Sequence, residues 1–183
     1  MRYPEDQVYI DKIKEGDSAS YGFLVNRYKD MAFTIALRIM RNAEDAEEVA
    51  QDGFVKAYQQ IHRFEGKSKF STWLFTIIYR TAITKLKRRG ALLFSVDENF
   101  TDHFTYDESA PQMEAMHAQE QTKLIKNAIA KLPEIDGLLI TLFYINENTI
   151  REIEEITGLT AANVKVKLFR ARKILEAELR FLL

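Results

Sequence analysis

From Ser18 to about Arg89, apolar residues recur three and four positions apart, as in Tyr21, Leu24, Val25 and Tyr28, then Phe33, Leu37 and Met40. No stretch alternates apolar with polar residues in the strand period, so the first half of the chain is committed to packed helices. Seven glycines and three prolines in 183 residues give few places to break them. After Gly90 the period dissolves into FSVDENFTDHFTYDESAP, where acids, polar residues and Pro111 interrupt regular structure. Helical signals resume at Met113, pause at Lys131-Leu132-Pro133 and continue to Leu183, with Leu175, Leu179 and Leu182 on the last stripe. The expected fold is all-α: a helical domain over 1–90, an acidic flexible linker over 91–112 and a second helical domain over 113–183.

The formal net charge of -1 conceals a segregation of charge along the chain. Residues 62–89 carry Arg63, Lys67, Lys69, Arg80, Lys85, Lys87, Arg88 and Arg89 against the single acid Glu65, a stretch suited to tracking phosphates. Residues 91–118 carry Asp97, Glu98, Asp102, Asp107, Glu108 and Glu114 and no Lys or Arg.

The segment TIREIEEITGLTAANVKVKLFRARK, Thr149 to Lys173, predicts two short helices joined by a tight turn. Thr149 and Glu152 make a capping box, Ile150, Ile153 and Ile156 form an apolar stripe, and Gly158 suits a left-handed cap. Thr160 opens the next helix. Projection of that helix at 100° per residue gathers Val164, Leu168, Ala171 and Leu175 toward the core. The opposite arc carries Ala162, Asn163, Val166, Arg170 and Lys173, with Lys165, Lys167 and Arg172 on the flanks, from which long cations reach the phosphates bordering a major groove. No acid occurs between Leu159 and Leu175. A solvated basic face would give the same pattern, so the rest of the chain has to decide.

In the first domain, the helix beginning near Ala43 buries Ala46, Val49, Ala50, Gly53, Ala57 and Ile61. It turns Glu48, Gln51, Asp52, Val55 and Gln59 outward, a mixed face suited either to solvent or to a basic partner. The next helix follows the loop FEGKSKFSTW. There Phe70, Trp73, Phe75 and Tyr79 interleave with Lys67, Lys69 and Arg80, combining rings for unstacked bases with cations for a backbone. Trp73 is expected in the core with Leu74, Ile77 and Ile78, whereas Phe70 and the loop lysines are expected at the surface.

Composition excludes several classes. With 46% apolar residues the chain supports a globular core, and its longest apolar runs fall far short of the roughly 20 residues of a membrane span. MRYPEDQVYI lacks signal-peptide architecture, and zero cysteines exclude disulfides, thiolate zinc sites and cysteine nucleophiles, consistent with the cytoplasm. His62, His103 and His117 are scattered, no glycine-rich phosphate loop is present and no nucleophile motif surrounds a serine, so neither an enzyme nor a cofactor is expected.

NAEDAEEVAQDGFVKAY, FEGKSKFSTWLFTI, LPEIDGLLITLFY and the helix-turn-helix ending NVKVKLFRARKIL resemble, in order and over nearly the whole chain, the bacterial extracytoplasmic-function (ECF) sigma factors. The resemblance implies a promoter-specificity subunit of RNA polymerase, with core polymerase (its largest-subunit coiled coil and its flap), promoter DNA and an anti-sigma factor as partners. Glu48, Gln51 and Asp52 match the docking motif for the coiled coil, with Val55 and Gln59 on the same face. Glu65 to Thr72 matches the minus-10 reader, which captures a base flipped from the non-template strand; its site residues are Lys67, Ser68, Lys69, Phe70, Ser71 and Thr72, with Arg80 on the following helix. Thr160 to Lys173 matches the minus-35 reader, with Thr160, Ala162, Asn163, Lys165, Val166, Lys167, Arg170 and Lys173 as its DNA-facing set. The linker resembles the segment that threads toward the RNA exit path. Arg80 and Thr84 stand where the family commonly has Asn and Asp, and Asn163 and Val166 replace a common Thr and Ser, so the resemblance carries no promoter sequence with it. The rival function is a stand-alone helix-turn-helix regulator, which binds duplex DNA without polymerase. A third, an inhibitory protein-interaction module, binds no DNA at all.

Overall fold

The computed structural model describes residues 4–88, 124–125 and 127–180, and every regular element among them is helical. Helices α1 (Pro4–Lys14), α2 (Tyr21–Met40), α3 (Ala43–Gln60) and α4 (Phe70–Arg88) make the first domain. Their ends have local causes. The Asp17 carboxylate accepts from the amides of Ala19 and Ser20 and opens the 3-10 turn that leads into α2. At the end of α2, Arg41 turns left-handed (φ 52°). Asn42 then caps α3 by accepting from the Asp45 amide at 2.9 Å, with Glu44 and Asp45 against the positive end of the helix dipole.

The buried face of α3 is mostly small: Ala46, Val49, Ala50, Gly53, Phe54 and Ala57. Gly53 allows a close approach, since a Cβ there would lie 2.1 Å from Ile78 Cδ1 of α4. Leu24 and Ile35 of α2 meet Leu74, Phe75 and Ile78 of α4 in the core, all fully buried. The sequence pattern predicted that the fourth helix would begin after Trp73, but it begins at Phe70. The Phe70 ring packs with Tyr28, Phe64 and Trp73, at centroid distances of 5.8, 5.7 and 5.7 Å, and this draws the end of the loop into the first helical turn.

In the second domain, residues 127–130 are helical, and α5 (Glu134–Ile140) starts after Pro133 and widens into a π turn over Thr141–Ile145. Helices α6 (Ile150–Thr157) and α7 (Ala161–Glu178) follow. Leu138, Leu139, Leu142, Ile153, Ile156, Val164, Leu168 and Ala171 are its core. The acidic linker expected over 91–112 lies outside the described residues.

The two domains share a seam in which α4 packs on α6 and α2 on α5, and their buried residues form one continuous cluster. Among the described residues, ion pairs of Lys69 with Glu152 and of Arg41 with Glu134 cross it, both at 2.7 Å. The Thr76 hydroxyl, which donates to the Thr72 carbonyl at 2.8 Å, also lies 3.4 Å from the Glu155 carbonyl across the seam. Among the described residues no helix is long and apolar enough to cross a membrane.

Candidate nucleic-acid and polymerase interfaces

The helix-turn-helix is built by local bonds. The Thr149 amide donates to Glu152 Oε2 at 2.8 Å and the Glu152 amide to Thr149 Oγ1 at 3.3 Å, closing the capping box. Gly158 ends α6 at φ 76°, where a side chain would be strained. The Ala161 amide donates to Glu154 Oε1 at 2.6 Å and ties the start of α7 to α6. With Val164, Leu168 and Ala171 buried, Ala162, Asn163, Lys165, Val166, Arg170 and Lys173 are exposed, as is the cap Thr160.

Lys167 departs from the expectation of a free flanking cation. It is only half-exposed, and its ammonium lies 3.6 Å from the buried Asp136 of α5. Burial pushes the Asp136 carboxyl above the usual carboxylate range, with Lys167 and Arg170 pulling against it. Lys173 pairs with Glu176 at 3.0 Å but stays at the surface. Phe169, 57% exposed, was missed. It lies three residues after Val166, so the same projection places it on the outer arc.

The loop before α4 is more enclosed than its composition predicted. Lys67 is fully presented to solvent and pairs with Glu65, and Gly66 (φ 70°) makes the bend. Ser68 is half-buried, and Lys69 is engaged by Glu152 across the seam. Phe70, expected at the surface, is 3% exposed, and Ser71 and Thr72 are also buried. All three occupy the first turn of α4, whose inner side meets α2. Trp73, expected in the core, is only half-buried against it. Farther along α4, Arg80, Thr84, Lys87 and Arg88 are exposed.

On α3, Glu48, Gln51, Asp52, Val55 and Gln59 share an exposed face, joined by Tyr58, which the sequence reading did not include. Lys85 of α4 reaches Glu48 at 2.6 Å and Asp45 at 3.3 Å, and its bond to Glu48 holds the ammonium pKa above its ordinary value. On the second domain, Ile129, Ile140, Tyr144, Ile145, Leu175 and Leu179 line an almost wholly apolar groove of about 540 Å³.

This arrangement matches known proteins along its length. The sigma-70 region 2 family model matches residues 24–91 and the sigma-70 region 4 model residues 122–175. The ECF RNA polymerase sigma factor SigW of Bacillus subtilis is 31% identical over 178 residues, covering 93% of this chain and 95% of that protein. The chain belongs to the ECF sigma factors. The sigma-E factor of Haemophilus influenzae is likewise 31% identical over 184 residues, covering 96% and 95% of the two chains. Among solved structures, CnrH in complex with the cytosolic domain of CnrY has a TM-score of 0.63 at 22% identity, covering 96% of this chain and 97% of that one. The sigma factor RpoE of Bartonella quintana, in complex with the anti-sigma factor NepR, also has a TM-score of 0.63, at 21% identity, with 87% and 96% covered. At these identities the two structures establish the shared fold. The protein is thus a sigma factor that initiates transcription with RNA polymerase, in a family of initiation factors rather than enzymes.

Proposed function

We propose that this sigma factor docks on the coiled coil of the largest polymerase subunit through the α3 face of Glu48, Gln51, Asp52, Val55 and Gln59. The minus-10 element is read, once opened, by the loop of residues 65–72, with Lys67 and Arg80 on the strand's phosphates. Phe70, Ser71 and Thr72 shape the loop from inside. The minus-35 duplex is read by α7, with Asn163 and Val166 at the groove floor and Lys165, Arg170 and Lys173 toward the phosphates. The observation that carries the reading is the exposed outer arc of α7, free of acids from Thr160 to Ile174, on a helix whose other side is fixed in the core. The flap contact is assigned to the apolar groove between α5 and α7. The site of action is the cytoplasm, where RNA polymerase works. An anti-sigma factor, of the kind bound to one of the solved neighbours, is the proposed inhibitor.

This reading requires the seam to part. Minus-10 and minus-35 elements lie about 25 base pairs apart, roughly 85 Å at about 3.4 Å per pair. While Lys69 touches Glu152, the minus-10 loop is tethered to Asn163 by only eleven residues, at most roughly 40 Å of extended chain. The lengths of the two paired side chains do not close that gap.

Gel shifts on promoter duplexes with and without core polymerase, followed by in-vitro transcription from a genomic fragment library, test the assignment. Retention and transcription that depend on core are expected. Tight retention by the protein alone, at two symmetric half-sites, favours the stand-alone regulator instead.

A further inference from the structure

Helix α1 has no part in the functions assigned so far, yet it holds both ends of the minus-10 loop. At the entry, the Lys14 ammonium donates to the Phe64 carbonyl at 2.7 Å. At the exit, the loop closes on Phe70, whose ring packs against Tyr28. The Tyr28 hydroxyl donates at 2.6 Å to Asp6 Oδ2 of α1, and the other Asp6 oxygen receives Arg27 at 2.5 Å. Asp6 is 5% exposed. Between these two polar anchors, Ile10 and Ile13 are buried and already fasten α1 to its neighbours.

A carboxylate that deeply buried is costly to desolvate and adds little net stability even when well paired. What the pair does supply is direction. It fixes the Tyr28 ring, and through it the position of Phe70, while Lys14 fixes the carbonyl at the other end of the loop. We propose that α1 sets the shape of the minus-10 loop, with Asp6 and Lys14 as positioning residues for base recognition. This rests on the assignment of the loop as the minus-10 reader.

The test uses full-length protein assembled with core polymerase. Three quantities are measured for Asp6→Ala, Asp6→Asn, Tyr28→Phe and Lys14→Met: core affinity, base preference on minus-35 duplexes, and binding of single-stranded oligonucleotides randomised over the minus-10 window. Core affinity and minus-35 preference should be unchanged, while minus-10 oligonucleotide binding falls about five- to tenfold for Asp6→Ala and Lys14→Met, the scale of one lost hydrogen bond. Asp6→Asn should recover most of the loss, because its amide oxygen still accepts from Tyr28. The effects of Asp6→Ala and Tyr28→Phe should not add. If Asp6→Ala fails to fold, Tyr28→Phe, which removes one oxygen, carries the test. Equal losses in all three measurements, or unchanged minus-10 binding, overturn the proposal. Lys67→Ala in the same assay separates the two levels: if it weakens oligonucleotide binding and the α1 variants do not, only the role of α1 fails, whereas if it too is silent the loop assignment fails with it.

Discussion

Replacing Gly53 by alanine sets helix propensity against packing, and the structure decides which prevails. In an unconstrained helix the change stabilises by about 0.8–1 kcal/mol. Here the new methyl would sit 2.1 Å from Ile78 Cδ1 and 3.2 Å from its Cγ1, well inside the contact distance of about 3.5–4.0 Å. Ile78 is fully buried, so its side chain has no open space to swing into, and its Cα already stands 3.5 Å from the added atom. Overpacking of this kind costs about 1–3 kcal/mol. Setting the two against each other, Gly53→Ala should destabilise by about 1 kcal/mol, read as a lower urea midpoint at unchanged slope. The sharper test is the cycle with Ile78→Val. That substitution removes Cδ1 and alone costs about 0.5–1.5 kcal/mol. In the Gly53→Ala background it should cost little or nothing, giving a coupling of about 1 kcal/mol. A stabilised Gly53→Ala, or strictly additive effects, would refute the close-packing argument.

Changing Glu48, Gln51 and Asp52 together to alanine should weaken core binding at least about tenfold in a pull-down titration with circular dichroism unchanged; undiminished affinity removes the docking assignment. Lys165→Ala should lower the log-log salt dependence of DNA binding by about 0.9, and Lys167→Ala by less, because Asp136 already engages that ammonium; equal slopes would show the pair does not persist on DNA. At Glu152, burial pushes the carboxyl up, but its bonds to Lys69 and Thr149 outweigh that and leave it below the ordinary value of 4.5. A depressed folded pKa means its contribution to stability is full above about pH 4.5 and is lost as pH falls through the lower folded value. Glu152→Gln should therefore flatten that stretch of the melting-temperature profile between pH 7 and 3, and an unchanged acid slope would contradict the pairing.

What the sequence made legible was mostly local. The Thr149 capping box, the Gly158 cap and the start of α3 near Ala43 each depend on residues within four positions, so spacing alone identifies them. The outward face of α3 followed from one period on one helix. Phe70 was misjudged because its burial is set by Tyr28, Phe64 and Trp73 together, one of them from a helix far back in the chain. Lys69 and Lys167 looked like free cations because the acids that engage them lie far off in sequence, Glu152 beyond the linker and Asp136 on α5. Pattern reading establishes which residues face away from their own helix, but not what another element brings to meet them.

The seam between the domains also enters the affinity for DNA. On the proposed reading only the open form engages both promoter elements, so the measured dissociation constant is the intrinsic one divided by the open fraction. A closed form favoured a hundredfold, about 2.7 kcal/mol, weakens every promoter a hundredfold and leaves the ranking among promoters untouched. Linkage makes the factor reciprocal: a partner that grips the closed form gains what DNA loses, and polymerase surfaces that hold the domains apart restore it. On that reading, substitutions at Glu152, Arg41 or Glu134 change the overall output of the regulon, whereas substitutions at Asn163 or Val166 change its membership.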